Sequence, residues 1–172
     1  LQDVLIRFDG RKPNVAVSGE DLAVFQYTGG TTGTPKGAMS QHKALVANTL
    51  QCIAMLTGGD TANGNREIFL GAIPFFHVYG LITVVCFAMS FGARIVLVPN
   101  ARDIDDVLDV IDVYKPTIFM GVPALYNAIN NHRKVKDGKV DLTSIRVCMS
   151  GSAPLPPAVK REFERLTGGK LL

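Results

Sequence analysis

"ARIVLVPNARDIDDVLDVIDVYKPTIFMG", Ala93–Gly121, decides the fold. Its opening "ARIVLVP" is a short apolar run closed by Pro99, which reads as a strand. In "DIDDVLDVIDVYK" the acids crowd the first turn, where a helix dipole favours them, and Val107, Val110, Ile111 and Tyr114 recur at helical spacing as a buried stripe. "PTIFMG" is a second strand. The strands are continuously apolar rather than alternating, so both of their faces are covered. Strand, helix, strand with such strands predicts an α/β fold, a largely parallel sheet with helices on both faces.

The same alternation extends outward. On the N-terminal side, "EIFLGAI" is a strand and "HVYGLITVVCFAMSFG" a nearly all-apolar helix, expected to be buried on most sides. On the C-terminal side follow helix "VPALYNAINNH", strand "IRVCMSG", helix "PLPPAVKREFERLTG" with proline at its start, and "KLL" as the next strand. Near the N-terminus, "DLAVFQYT" is a strand, "GAMS" another short one, and "QHKALVANTLQCIAML" a helix capped by Ser40. Leu45, Thr49, Cys52 and Leu56 share one face of that helix. Residues 1–20 read as a loop or linker with a short strand, and residues 21–172 as one α/β domain. The chain opens at Leu1 and stops at "GGKLL" just as a strand begins, so the expectation is an excerpt truncated at both ends, with a sheet edge at "KLL" open to self-association as a homo-oligomer.

At 172 residues, 47% hydrophobic and 19% charged, the chain can bury a sizeable core. Its net charge of +3 comes from scattered residues, and the densest group, "HRKVKDGK", reads as a solvated loop; nucleic-acid binders carry a denser cluster. Cys52, Cys86 and Cys148 lie far apart, with no metal-ligand spacing, and read as free thiols of a reducing, cytoplasmic compartment. Residues 68–93 contain no Asp, Glu, Lys or Arg, but Pro74 and His77 interrupt them, so they read as two short buried elements rather than a membrane span.

In parallel sheets ligands bind at the carboxyl ends of the strands. Four loops fall on that rim: "YTGGTTGTPKG", "IPFFHVYG", "FMGVPALY" and "MSGSAPLP". The first packs four glycines, four threonines and Lys36 into eleven residues. Glycines let backbone N–H groups turn toward an anion, hydroxyls add donors, and the lysine adds charge, a combination suited to polyphosphate. A mobile surface turn is the plainer reading. The P-loop pattern fails, because Pro35 precedes Lys36 and Gly37 follows it, and no GxGxxG is present; a P-loop NTPase is thereby disfavoured.

"YTGGTTGTPKGA" resembles the phosphate loop of the adenylate-forming superfamily, which includes acyl-CoA synthetases, luciferases and peptide-synthetase adenylation domains. "PFFHVYG", "FMGVPALY" and "SGSAPLP" resemble further blocks in the same order, and the likeness runs from about Asp21 to the end. "LAVFQYTGGTTGTPKGAM" is most similar to bacterial long-chain fatty-acid–CoA ligases. The resemblance implies an enzyme that joins a fatty acid to AMP from ATP with Mg²⁺, releases pyrophosphate, and passes the acyl group to coenzyme A. It gives Thr28, Gly29, Gly30, Thr31, Thr32, Gly33, Thr34 and Lys36 to the β- and γ-phosphates. Within that loop Thr31 and Thr32 are hydrogen-bond donors, Lys36 balances charge, and Thr28 is a contributor to Mg²⁺ binding. It gives the backbone of Gly151, Ser152, Ala153 and Pro154 to adenine, and His77 to the acyl carboxylate as a positioning or gating residue. It further implies that Tyr79, Gly80, Met120, Gly121 and Val122 line the acyl tunnel.

The family's Thr-Glu block, ribose-binding Asp and late catalytic lysine do not occur in these 172 residues, so the excerpt alone is expected to be inactive. Other acids (aryl, medium-chain or amino acid) and a non-catalytic nucleotide-binding relative are the competing readings. Fatty acids partition into bilayers, which is compatible with peripheral membrane association.

Overall fold

The computed structural model describes residues 7, 10–11, 14–28, 36–57 and 66–172. Strands β1 (Leu22–Thr28) and β2 (Lys36–Gln41) pair antiparallel, with Phe25 opposite Met39 and Thr28 opposite Lys36. Helix α1 (His42–Thr57) follows at once. Ser40 therefore lies inside β2 and is not the cap expected for that helix. The "GAMS" strand is longer than expected, because pairing with β1 extends it back to Lys36.

The main sheet has five parallel strands in the order β4-β3-β5-β6-β7: β3 (Ile68–Gly71), β4 (Arg94–Leu97), β5 (Ile118–Gly121), β6 (Val147–Ser150) and β7 (Lys170–Leu171). The two strands of the 93–121 unit are not neighbours, since β3 lies between them. The β1–β2 hairpin stands apart from this sheet. The glycine loop thus joins two antiparallel strands and does not follow a strand of the parallel sheet. Two adjacent apolar strands with a turn-rich link look alike in either arrangement.

Successive residues of each strand go to opposite faces. Leu70, Phe119, Cys148 and Leu171 enter one cluster with helices α3 (Ile104–Tyr114), α4 (Pro123–Asn131) and α6 (Pro157–Thr167), while the short α5 (Arg133–Lys136) adds Val135. Phe69, Ile118 and Met120 enter the other with α1 and α2. Helix α2 covers 78–91 in three parts: an α turn at Val78–Gly80, a π-helical segment at Leu81–Cys86, and an α end at Phe87–Phe91. Helices on both faces are as the sequence reading expected. Phe119, Tyr126 and Phe163 pack as a ring triad with centroids 4.7–6.0 Å apart. Each such fully buried side chain contributes on the order of 2 kcal/mol.

Helix α2 is buried on most sides, as expected: residues 80–88 are all buried or half-buried, and the exposed Val78, Met89 and Ser90 lie at its ends. One burial expectation needs correction. In α3 the stripe is Val107, Leu108 and Ile111, with Val110 half-buried and Tyr114 47% exposed. The stripe centres on Ile111 and turns toward Leu108, which leaves Tyr114 at its edge in the last turn.

Asp103 caps α3, its Oδ1 accepting the Asp105 and Asp106 amides at 3.1 and 3.3 Å. Asp103→Ala should cost about 1 kcal/mol, read as a midpoint shift of about 2–4 °C in thermal unfolding. An unshifted midpoint would show that the cap contributes nothing. Cys52 and Cys148 are buried and Cys86 half-buried, all unpaired with one another. Burial, and then the nearby Glu164 carboxylate, push the Cys148 thiol up to about 12. Among the described residues no helix is long and apolar enough to cross a membrane.

Candidate functional site

Three segments leave the carboxyl ends of β3, β5 and β6 and converge. After β3, the chain turns at residues 74–77 and enters α2. His77 caps this helix, its Nδ1 accepting the Tyr79 amide at 3.1 Å. In the neutral ring Nε2 then carries the proton. The ring is exposed. Gly80 lies against the turn: a Cβ there would stand 2.3 Å from the Pro74 carbonyl oxygen. Only glycine lets the helix begin so close to the loop that feeds it.

After β5 comes Gly121, and after β6 comes Gly151. The Gly151 amide donates to the Gly121 carbonyl at 3.1 Å. The Tyr79 hydroxyl is shared between the carbonyls of Gly121 at 3.1 Å and Met149 at 2.7 Å. Burial is the main cause that raises the Tyr79 phenol well above its usual range, so it stays protonated and donates. Next to Gly151, Ser152 adopts a left-handed φ of 68°, and Ala153 and Pro154 are exposed. A cavity of about 250 Å³ opens among these segments, lined by Pro74, His77, Tyr79, Gly80, Val122 and Ser152. It shares Ile73, Pro74 and Val122 with a larger apolar cavity of about 590 Å³ that extends to Pro99, Ile104, Leu125 and Ala128.

Four of the expected acyl-site residues (His77, Tyr79, Gly80 and Val122) thus meet one residue of the expected adenine turn, Ser152. Met120 stands differently: it is fully buried in the core cluster with Phe69 and Phe87, and a ligand would have to enter that cluster to touch it. Gly121 is close against Tyr126, whose ring would lie 2.9 Å from an added Cβ.

Gly29, Gly30, Thr31, Thr32, Gly33 and Thr34 lie outside the described residues, as does the side chain of Thr28. Thr28 and Lys36 are described as paired positions at the end of the hairpin, and Lys36 is exposed. The root of the loop is tied to the rim by Gln26, whose Nε2 donates to the Phe76 carbonyl at 3.0 Å, one residue before His77. Sequence reasoning passed over Gln26 and Tyr126. Gln26 carried a faint signal as a polar residue within "LAVFQYT". Tyr126 carried none, because its hydroxyl partners, the carbonyls of Phe119 and Met149 at 2.9 Å each, are set by strand packing. Among the described residues no group of three or more His, Cys, Asp or Glu could hold a metal ion.

Comparison with known proteins identifies the family and the fold. The profile of the AMP-binding enzyme family matches residues 2–172. A long-chain-fatty-acid–CoA ligase of Bacillus subtilis is 45% identical over 152 residues, 88% of this chain and 26% of the relative. A 4-coumarate–CoA ligase of Petroselinum crispum is 36% identical over 150 residues, 86% of this chain and 26% of the relative. Among solved structures, the inhibitor-bound N-terminal domain of FACL13 from Mycobacterium tuberculosis superposes with a TM-score of 0.80 at 26% identity, over 95% of this chain and 39% of that one. The chain spans about a quarter of the length of the curated relatives it matches. With a family profile over nearly every residue, a ligase at 45% identity and a shared fold, the chain belongs to the AMP-binding enzyme family.

Proposed function

We propose that the protein of which these residues form part is an ATP-dependent, AMP-forming ligase that activates a long-chain fatty acid and transfers it to coenzyme A. The observation that carries this reading is the 45% identity, over 88% of the chain, to a long-chain-fatty-acid–CoA ligase. The chemistry is an in-line displacement. A carboxylate oxygen of the acid forms a bond to the α-phosphorus of ATP, the bond to the bridging oxygen breaks, and pyrophosphate leaves with that electron pair. The thiol of coenzyme A, having lost its proton, then attacks the acyl carbon, and AMP leaves.

In this reading the loop from Thr28 to Lys36 holds the departing phosphates, with Thr31 and Thr32 as donors and the Lys36 ammonium opposing the charge that grows on pyrophosphate. Charge stabilisation of this kind is electrostatic catalysis. The backbone of 151–154 receives adenine. His77, with Nδ1 occupied by the Tyr79 amide, offers Nε2–H to the acyl carboxylate. The apolar cavity beyond Val122 is suited to part of an acyl chain. Thr28 is the one position of this chain that the resemblance gives to Mg²⁺, and a single threonine does not by itself make a Mg²⁺ site.

A second reading, an aryl acid as substrate, is favoured by the 36% identity to a 4-coumarate–CoA ligase. Competition between a long-chain fatty acid and a hydroxycinnamic acid, assayed on the full-length protein, separates the two by the ratio of kcat/KM. For the loop, Lys36→Ala should lower ATP-dependent turnover about 10²-fold and weaken ATP binding by calorimetry. Unchanged turnover and unchanged ATP affinity would remove Lys36 from the site.

A further inference from the structure

We propose that Tyr79 is a positioning residue for the nucleotide: its hydroxyl braces the carboxyl ends of β5 and β6 and sets the 151–154 turn on which, in the ligase reading above, adenine rests. The hydroxyl lies 3.1 Å from the Gly121 carbonyl and 2.7 Å from the Met149 carbonyl, so one side chain from α2 spans two neighbouring strands. Its ring fills the space beside Gly151, where an added Cβ would approach within 2.8 Å. The Gly151 amide meets the same Gly121 carbonyl at 3.1 Å. The turn therefore starts from a node that Tyr79 helps to hold. The next residue, Ser152, sits at φ 68°, a conformation that persists for a serine only where its surroundings impose it.

Tyr126 supplies a control within the same protein. Its hydroxyl lies 2.9 Å from both the Phe119 and Met149 carbonyls, but from the opposite face of the sheet, and the space its ring fills is that beside Gly121. It braces β6 without touching Gly151. Removal of the Tyr79 hydroxyl also leaves neither carbonyl bare, because Met149 keeps Tyr126 and Gly121 keeps the Gly151 amide. Tyr79→Phe thus removes the tie while leaving the ring and both acceptors in place.

The test uses full-length protein carrying Tyr79→Phe or Tyr126→Phe. Two quantities are followed: steady-state kinetics in ATP and in the acid, and hydrogen exchange of the 150–155 segment. Tyr79→Phe is expected to raise the KM for ATP about five- to tenfold, the size of one net hydrogen bond. It should raise the KM for ATP more than the KM for the acid, leave the Tm nearly unchanged and speed exchange in the 150–155 segment. Tyr126→Phe is expected to lower Tm more and to leave the KM for ATP within about twofold of wild type. The brace is overturned if Tyr79→Phe leaves the KM for ATP unmoved, or if both variants raise it equally. A wild-type protein that forms no ATP-dependent acyl-CoA overturns the ligase reading instead. In that event exchange alone decides the brace, which fails if the protection of 150–155 is the same in Tyr79→Phe as in wild type.

Discussion

Replacement of Gly80 by alanine is expected to be among the most damaging single-methyl changes in this protein. The added Cβ would lie 2.3 Å from the Pro74 carbonyl oxygen, 3.0 Å from the Pro74 carbonyl carbon and 3.4 Å from the Phe75 Cα. All three are backbone atoms, so no side chain can swing aside. The Pro74 carbonyl also accepts the His77 amide at 3.3 Å, and the His77 carbonyl accepts the Leu81 amide at 2.9 Å, so a shift of the turn would disturb the entry to α2. Gly80 is itself buried, and α2 carries Val84, Phe87 and Ala88 into one of the two cores. Overpacking against fixed backbone falls at the upper end of the usual cost, about 3 kcal/mol, a fall in Tm of about 6–12 °C for a chain of this size. A midpoint within about 2 °C of wild type would show that the turn gives way freely. A surviving Gly80→Ala protein should also show the largest change in His77, three residues away on the same turn.

The second large effect is expected at Gly151, and on turnover more than on stability. A methyl group there would stand 2.8 Å from Cε2 and Cζ of Tyr79. An aromatic ring on a free surface would rotate away, but this one is pinned through its hydroxyl to two carbonyls. The 151–154 turn must move instead, away from the cavity that Ser152 lines. In the proposed ligase reading the turn receives adenine, and displacement of a binding segment by about 1 Å costs on the order of 10²-fold in rate, so in the full-length protein Gly151→Ala should lower kcat/KM for ATP by about that factor. Because Gly151 is only half-buried, the fold should survive. Combination with Tyr79→Ala, which removes the ring, should return part of the loss, and the non-additivity of the pair measures the contact. Wild-type kinetics in Gly151→Ala alone would mean that the turn does not position the nucleotide.

The physical basis of the site is the meeting of three glycine-marked segments with two tyrosines. Gly80, Gly121 and Gly151 each stand where a Cβ would meet a neighbour at 3.0 Å or less. The strand ends therefore approach closely enough for Tyr79 and Tyr126 to reach the Met149 carbonyl from opposite faces. The hairpin that carries the glycine loop joins this rim through Gln26 and the Phe76 carbonyl.

Much of this was legible in the order of residues alone. The run of apolar strands and amphipathic helices from Ala93 to Gly121 determined a parallel sheet covered on both faces, because continuous apolar strands need cover on both sides and acids in a first turn mark a helix start. The motif from Tyr27 to Gly37 and the blocks at 74–80 and 150–155 determined the family, because chemistry carried by short contiguous segments survives in the sequence. Tertiary structure decided the rest. It placed β3 between β4 and β5, set the β1–β2 hairpin apart from the main sheet, and turned the α3 stripe from Tyr114 toward Leu108. It also brought the Tyr79 hydroxyl to Gly121 and Met149, residues 42 and 70 positions away in the chain. Strand order and side-chain contacts of this kind depend on which surfaces are buried together. Local periodicity reports that a face is apolar, and only packing selects the surface that covers it.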